Sequence, residues 1–240
     1  IYLIMEFQQD EIATLSKYYD YREKSGKDTE YEVLFKKISY LKFESVLKFL
    51  KNSANNSESD WDHHENNTSL DIFYHDRDRQ IPIRHSVNKA SNISKFCKSN
   101  TLANIPHEIT YKSPINIDSE RSKLDIDNYD IRINLKNELV YNKEIRQFIG
   151  SSPKLSEIAT NKFQNFEDIK MRDGEKNLLK TFRLKNRFSF MYNSYTRVDL
   201  TIVKSSKKYI NDSGWEEMKP VKEFIDSNLV NEEKSYEIEI

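Results

Sequence analysis

The run FRLKNRFSF, Phe182 to Phe190, alternates. Arg183, Lys185 and Arg187 fall on one face of a strand, and Leu184 and Phe188 on the other. Three like charges in a row repel one another, and an ordinary solvated sheet offers nothing to offset that cost. The same period-two placement recurs along the chain. Glu30 and Glu32 share a face, as do Asp130, Arg132, Asn134, Lys136 and Glu138, then Arg197, Asp199 and Thr201, then Glu237 and Glu239. Any one of these reads as the solvated face of a sheet. Five together are explained if the strands close into a barrel with the charged faces inward, so that cations and carboxylates pair across the lumen. The opposite faces (Tyr31, Val33 and Phe35; Leu184 and Phe188; Val198, Leu200 and Ile202) then pack outward against helices, and closure leaves no edge strand.

Composition fits this picture. Only 37% of the 240 residues are hydrophobic and 32% are charged. Either part of the chain is disordered, or the fold has a polar interior that needs fewer apolar residues. The length allows one large domain or two small ones. With 38 Lys+Arg against 39 Asp+Glu, the net charge is -1. That excludes a strongly basic, sequence-independent nucleic-acid coat, so nucleic-acid contact should be local. The single cysteine, Cys97, excludes an internal disulfide and a cysteine-based zinc site, and points to a reducing intracellular compartment. No stretch approaches the roughly 18 apolar residues of a membrane span. The opening IYLIMEF is apolar but too short and lacks a charged leader, so it does not read as a signal peptide. Four glycines leave no Gly-rich phosphate loop.

Periodicity predicts a helix over Glu6–Tyr18, a strand over Thr29–Ser39 and a helix over Tyr40–Ser53. Residues 54–69 read as a polar loop. Strands follow at 70–76, 81–87, 107–117 and 128–140. A helical insert is expected over 142–163, interrupted near Gly150 and Pro153. Further strands are expected at 178–192, 195–206 and 235–240, with 220–230 read as a helix. Strands follow strands through turns, which favours antiparallel pairing. The expected class is α+β: a closed antiparallel β-barrel of about eight strands, a tunnel with a charged lumen, flanked by helices.

Such a lumen suits one chemistry. Rows of Arg and Lys hold a chain of phosphates. Clustered carboxylates make a hard oxygen site for Mg²⁺ or Mn²⁺. A divalent ion resolves the repulsion between carboxylates and polyanion, and polarises the phosphorus under attack. The implied reaction is metal-dependent hydrolysis at the end of a phosphate chain.

These residues resemble the triphosphate tunnel metalloenzymes, and more narrowly the RNA 5′-triphosphatases of fungal, poxviral and other large DNA virus mRNA capping systems. The family's Glu-x-Glu, Arg-x-Lys-x-Arg, Arg-x-Asp-x-Thr and final Glu-x-Glu strands appear here in order as EYE, RLKNR, RVDLT and EIE. The strand DIRINLKNE is similar to the family's strand that ends in an essential Glu, here Glu138. Arg84 and Lys112 stand on strands where the family has a basic residue. Leu34 stands where a basic residue is common, with Lys36 the next same-face position; a register starting at Glu32 is the alternative. The family's third alternate Glu on the last strand would fall after Ile240, so it is absent or lies past this sequence.

The resemblance implies a single tunnel domain over residues 1–240, the N-terminal module of a larger capping enzyme. It implies that Glu30, Glu32, Glu237 and Glu239 coordinate Mg²⁺ or Mn²⁺. Arg183, Lys185, Arg187, Arg84, Lys112, Arg132 and Arg197 grip phosphates, with Lys185 or Arg187 meeting the γ-phosphate. Glu138 or Asp199 orients the attacking water, and Asp199 equally suits holding a neighbouring Arg. The substrate would be the 5′-triphosphate end of RNA, with a fused or associated guanylyltransferase as partner, in the cytoplasm of an infected cell or in a virion. An inorganic tripolyphosphatase or NTP phosphatase on the same tunnel is the first alternative, and a non-catalytic polyanion-binding module the second. The acid pairs argue against the last.

Other conspicuous residues read as structural. His63 and His64 belong to the polar loop, His75 and His85 are structural or exposed, and Cys97 has no acid–base partner nearby. Trp61 and Trp215 are expected to pack. Lys204–Lys208 reads as a solvated strand end.

Overall fold

A computed structural model of the chain describes residues 8–25, 29–76, 79–150 and 152–240. Eight of its strands form the closed sheet: β1 (Thr29–Phe35), β2 (Trp61–Asp76), β3 (Arg79–Asn88), β4 (Glu108–Pro114), β5 (Ile131–Asn142), β6 (Leu179–Tyr192), β7 (Thr196–Ser205) and β8 (Ser235–Glu239). They pair in the order β1-β8-β7-β6-β2-β3-β4-β5, and β5 pairs back onto β1. Every contact in the ring is antiparallel. Four helices flank it: α1 (Gln9–Ser25), α2 (Tyr40–Ala54), α3 (Ala90–Ser99) and α4 (Pro153–Asp173).

The core lies outside the barrel, between its outer wall and the helices. Phe43 and Leu50 of α2 pack on Phe190, Val198, Leu200 and Ile238. Phe96 of α3 and Phe166 of α4 join Leu70, Ile72, Ile83, Leu139 and Phe182 in the largest cluster. Tyr18 of α1 packs on Ile131, Ile133 and Leu135, with Tyr31 and Val33 beside them. Each fully buried Leu or Phe here contributes about 1.5–3 kcal/mol relative to exposure. The outward faces expected of β1, β6 and β7 thus do pack outward. The low apolar content is explained by an interior lined with polar groups.

Few glycines mean that other residues take the left-handed turns. Asn100 ends α3 at φ 55°, Asn228 ends the 3₁₀ turn Phe224–Ser227 at φ 55°, and Asp130 precedes β5 at φ 53°. Asn and Asp tolerate that region better than other side chains because their short polar groups bond locally. Ser39 caps α2, its hydroxyl accepting from the Lys42 N–H.

Several boundaries differ from expectation. Glu6 and Phe7, and with them the opening heptapeptide, lie outside the described residues; α1 starts at Gln9 and runs on to Ser25. The expected polar loop is strand from Trp61 onward, because β6 extends to Tyr192 and pairs with it throughout. Strand pairing overrides a polar sequence whose two faces are both wet. The expected helical insert is a strand at Gln147–Ile149, paired with β5, and helix begins only at Pro153. The expected helix at 220–230 reduces to the single 3₁₀ turn. Trp61 stacks on Tyr192 at 5.0 Å as expected of a packing residue, but Trp215 is 72% exposed on the hairpin Lys208–Met218. Among the described residues no helix is long and apolar enough to cross a membrane.

His85 sits on the outer face of β3, 1% exposed, with both ring nitrogens unpartnered. Its ring lies 5.2 Å from Tyr74, 4.8 Å from Phe166 and 5.4 Å from His107. Burial holds its pKa well below the ordinary 6.5, and His107, Lys170 and Lys143 push the same way. The folded state therefore binds this proton less readily than the unfolded chain. Stability is full above about pH 6.5 and is lost as pH falls below it. His85→Phe should raise the melting temperature and flatten its fall between pH 7.5 and 5.5, with His107 and His75 supplying the remaining slope. Parallel curves for the two proteins would refute this assignment.

Candidate active site

The barrel encloses a cavity of about 1230 Å³ open to solvent. Alternation puts the charged row of each strand into it. From β6 come Arg183, Lys185 and Arg187, from β7 Arg197 and Asp199, and from β8 Glu237 and Glu239. From β1 come Glu30 and Glu32, from β3 Arg84, from β4 Lys112, and from β5 Lys136 and Glu138.

Each of the three lumen-facing cations of β6 meets a carboxylate from another strand. Arg183 pairs with Glu237 at 2.7 Å. Lys185 pairs with Asp71 of β2 at 2.6 Å, and the Ser86 hydroxyl donates to the same carboxylate at 2.8 Å. Arg187 reaches Asp199 at 3.0 Å and Glu239 at 3.5 Å, and its Nε donates to the Thr201 hydroxyl at 3.2 Å. On the opposite wall Arg84 pairs with Glu138 at 3.0 Å, Lys112 bridges Glu138 and Glu30, and Lys136 pairs with Glu32. Exposed on a sheet, such pairs are worth little. Inside the lumen they are held by eight strands and partly dried.

The carboxylates are not equally satisfied. Burial pushes the Glu30 carboxyl up from its ordinary value despite Lys112, and Glu138 adds to the push. Burial and then Glu32 push Glu239 up, against Arg187. For Glu138 burial works the same way, but Lys112 and Arg84 outweigh it and hold the carboxyl down. Asp71 is likewise held down by Lys185 and Arg84 against burial. Glu30 and Glu239 are thus short of positive charge.

Solved structures similar to this chain include three of mimivirus capping-enzyme triphosphatase. A monoclinic form of the Mimivirus capping enzyme triphosphatase is 24% identical, over 98% of this chain and 89% of that one, with a TM-score of 0.61. The RNA triphosphatase domain of a trifunctional mimivirus mRNA capping enzyme is 23% identical, over 98% and 88%, at 0.60. A triclinic form of the Mimivirus capping enzyme triphosphatase is 22% identical, over 97% and 88%, also at 0.60. The closed antiparallel barrel of this chain has the fold of these capping-enzyme triphosphatase domains. No protein-family model and no curated protein matches the chain.

The tunnel gathers nearly all the residues singled out in the sequence. Glu30 and Glu32 both face the lumen, and Lys36 lies past β1, bonded to Asp125 and Asp127 at 3.0 Å each. Arg132 is the exception to the gathering. It shares the face of Lys136 but lies beyond the cavity lining, its Nε 2.8 Å from Asp125. Lys136 takes the inner place on that strand.

Asp199 is occupied by its own neighbours. Its Oδ1 accepts from Ser189 at 2.6 Å and Arg197 at 2.8 Å, and Arg187 lies on Oδ2. That favours the arginine-holding role over water orientation. Asp71 was not singled out in the sequence. Its row mates Ser69 and Phe73 carry no charge, so that face of LDIFYHD shows a single isolated acid.

The donor chemistry fits a hard divalent cation. Glu30, Glu32, Glu237 and Glu239 supply only oxygens, and two of them are short of positive charge. Among the described residues no group of three or more His, Cys, Asp or Glu is already gathered as a cage. The glutamates instead hold Lys112, Lys136, Arg183 and Arg187, so those ion pairs must open to admit an ion.

Proposed function

We propose that the chain is a divalent-metal-dependent RNA 5′-triphosphatase that removes the γ-phosphate of triphosphate-ended RNA. The observation that carries the proposal is the row Arg183, Lys185 and Arg187 aimed into a closed tunnel and faced by two glutamate pairs. A phosphate chain satisfies the cations, and a divalent ion satisfies the glutamates. The likeness to the mimivirus capping-enzyme triphosphatases, whose RNA triphosphatase belongs to a trifunctional capping enzyme, supports the reading.

In this account Arg183, Lys185, Arg187, Arg84 and Lys112 bind and align the phosphate chain, Arg by bidentate forks and Lys as a point charge. Arg197 grips it nearer the rim. Glu30, Glu32, Glu237 and Glu239 would hold Mg²⁺ or Mn²⁺. When bound, the ion supplies neutralisation and polarisation at the phosphorus. Asp199 keeps Arg187 and Arg197 in position. Glu138, held by Arg84 and Lys112 and adjacent to Glu30, orients the attacking water. Catalysis is positioning plus charge stabilisation in a partly dried tunnel. Residues 1–240 form the triphosphatase module of a larger capping protein, acting beside a guanylyltransferase in a reducing compartment of an infected cell or in a virion.

The second reading, NTP or inorganic tripolyphosphate hydrolysis, is favoured by the lumen itself, whose charged rows recognise phosphates and no base. Turnover of triphosphate-ended RNA, NTP and tripolyphosphate at equal metal concentration separates the two. RNA should have the highest kcat/KM. A tripolyphosphate kcat/KM above that of RNA would assign the tunnel to polyphosphate instead.

A further inference from the structure

The cavity is larger than a phosphate chain needs; pockets for whole drug-sized ligands run about 300–1,000 Å³, against about 1230 Å³ here. Its lining includes Tyr19 and Arg22 of α1, the exposed Tyr195 of the β6–β7 turn, and Arg197 near the start of β7. Tyr195 is the last residue of the β6–β7 turn, immediately before β7, and it lines the same cavity as Arg197 and Asp199 further along that strand. Along the chain the lining therefore reads aromatic ring, arginine, then the Asp199–Arg187 cluster.

Tyr195 is 92% exposed, yet its backbone is fixed. Three residues, Asn193 to Tyr195, join Tyr192 to its partner Thr196, and Asn193 and Ser194 both take positive φ, 48° and 60°. The Tyr195 N–H donates to the Tyr192 carbonyl at 3.1 Å, and the Asn193 N–H to the Asp60 carbonyl at 3.0 Å. An aromatic face presented on a preorganised turn loses little entropy on binding. Arg197 has five N–H donors, and Asp199 and Ser189 engage two of its nitrogens, at 2.8 and 3.4 Å.

We propose that Tyr195 is the stacking platform for the first nucleobase of the RNA, with Arg197 on the adjoining phosphate. This rests on the RNA reading above and names the feature that would let a phosphate tunnel prefer RNA over tripolyphosphate. Stacking needs no base-edge readout, so the preference would be tolerant of sequence. The two tryptophans are not the platform. Trp61 packs with the outer cluster beneath α2, and Trp215 lies on a hairpin away from the cavity lining.

The test is equilibrium binding, with Mg²⁺, of a 5′-triphosphate RNA trinucleotide and of inorganic tripolyphosphate to the whole chain. Wild type should bind the RNA more tightly. Tyr195→Ala should weaken RNA binding by roughly 5- to 150-fold, the range for losing one stacked base, and narrow the preference accordingly. Tyr195→Trp should retain it. An unchanged preference in Tyr195→Ala, an equal loss for both ligands, or no preference in wild type would overturn the proposal. Because the readout is binding, a failure to release γ-phosphate would count against the hydrolase reading and leave this result standing.

Discussion

Arg187→Ala should lower the rate of γ-phosphate release by about a thousandfold, the scale seen when one preorganised charge at a phosphoryl-transfer site is removed. Arg187 touches Asp199, Glu239 and Thr201, three groups on two strands, so its guanidinium links the phosphate row to the glutamates of β8. Lysine cannot span that arrangement, because an ammonium is a point charge without the planar fork. Arg187→Lys should therefore recover only a small part of the loss. Single-turnover kinetics at saturating RNA would separate this from a binding defect. A rise in KM with kcat unchanged would move Arg187 from transition-state stabilisation to ground-state binding.

The Asp71–Lys185 pair should show the largest effect on stability. Asp71 is 1% exposed, and burial pulls the Lys185 pKa down while Asp71 opposes it. Asp71→Ala leaves that ammonium without its carboxylate and should cost about 3–5 kcal/mol. Replacing both, Asp71→Leu with Lys185→Met, removes the two charges together and should recover most of the stability. It should not recover catalysis, because the lysine is gone from the phosphate row. Chemical denaturation and γ-phosphate release on the same samples would test this. A double variant that is both stable and fully active would show that Lys185 is structural only.

How much of this was legible in the sequence depended on parity. The rows on β1, β6, β7 and β8 each carry two or three charges at alternate positions, so each fixes its own inward face without knowledge of its neighbours. That sufficed for the closed charged barrel and for most of the lining. Arg132 and Lys136 share a parity, and sequence cannot say where along a strand the lumen ends. The structure ends it between them, where Asp125 from a neighbouring short strand captures Arg132. Asp62–Asn67 is polar at every position, so no alternation marks it as strand; the partner β6 decides it. Asp71 was invisible for a related reason. Its importance comes from Lys185, a residue distant in sequence that stands nearby across the β2–β6 pairing. Tyr195 lies just outside a recognisable row, in the turn before β7, where neither period nor charge announces it.

The central claim is that the glutamate pairs and the cation row act together on a phosphate chain with a divalent ion. The most direct test is γ-phosphate release from triphosphate-ended RNA, without metal, with Mg²⁺ and with Mn²⁺, for wild type and Glu237→Ala. Glu237 is the carboxylate that meets Arg183 and sits across from Thr201. The account predicts release by wild type only when one of the ions is present, and loss of that release in Glu237→Ala under both. Wild type inactive with either ion, or equally active after the metal is chelated, would contradict it.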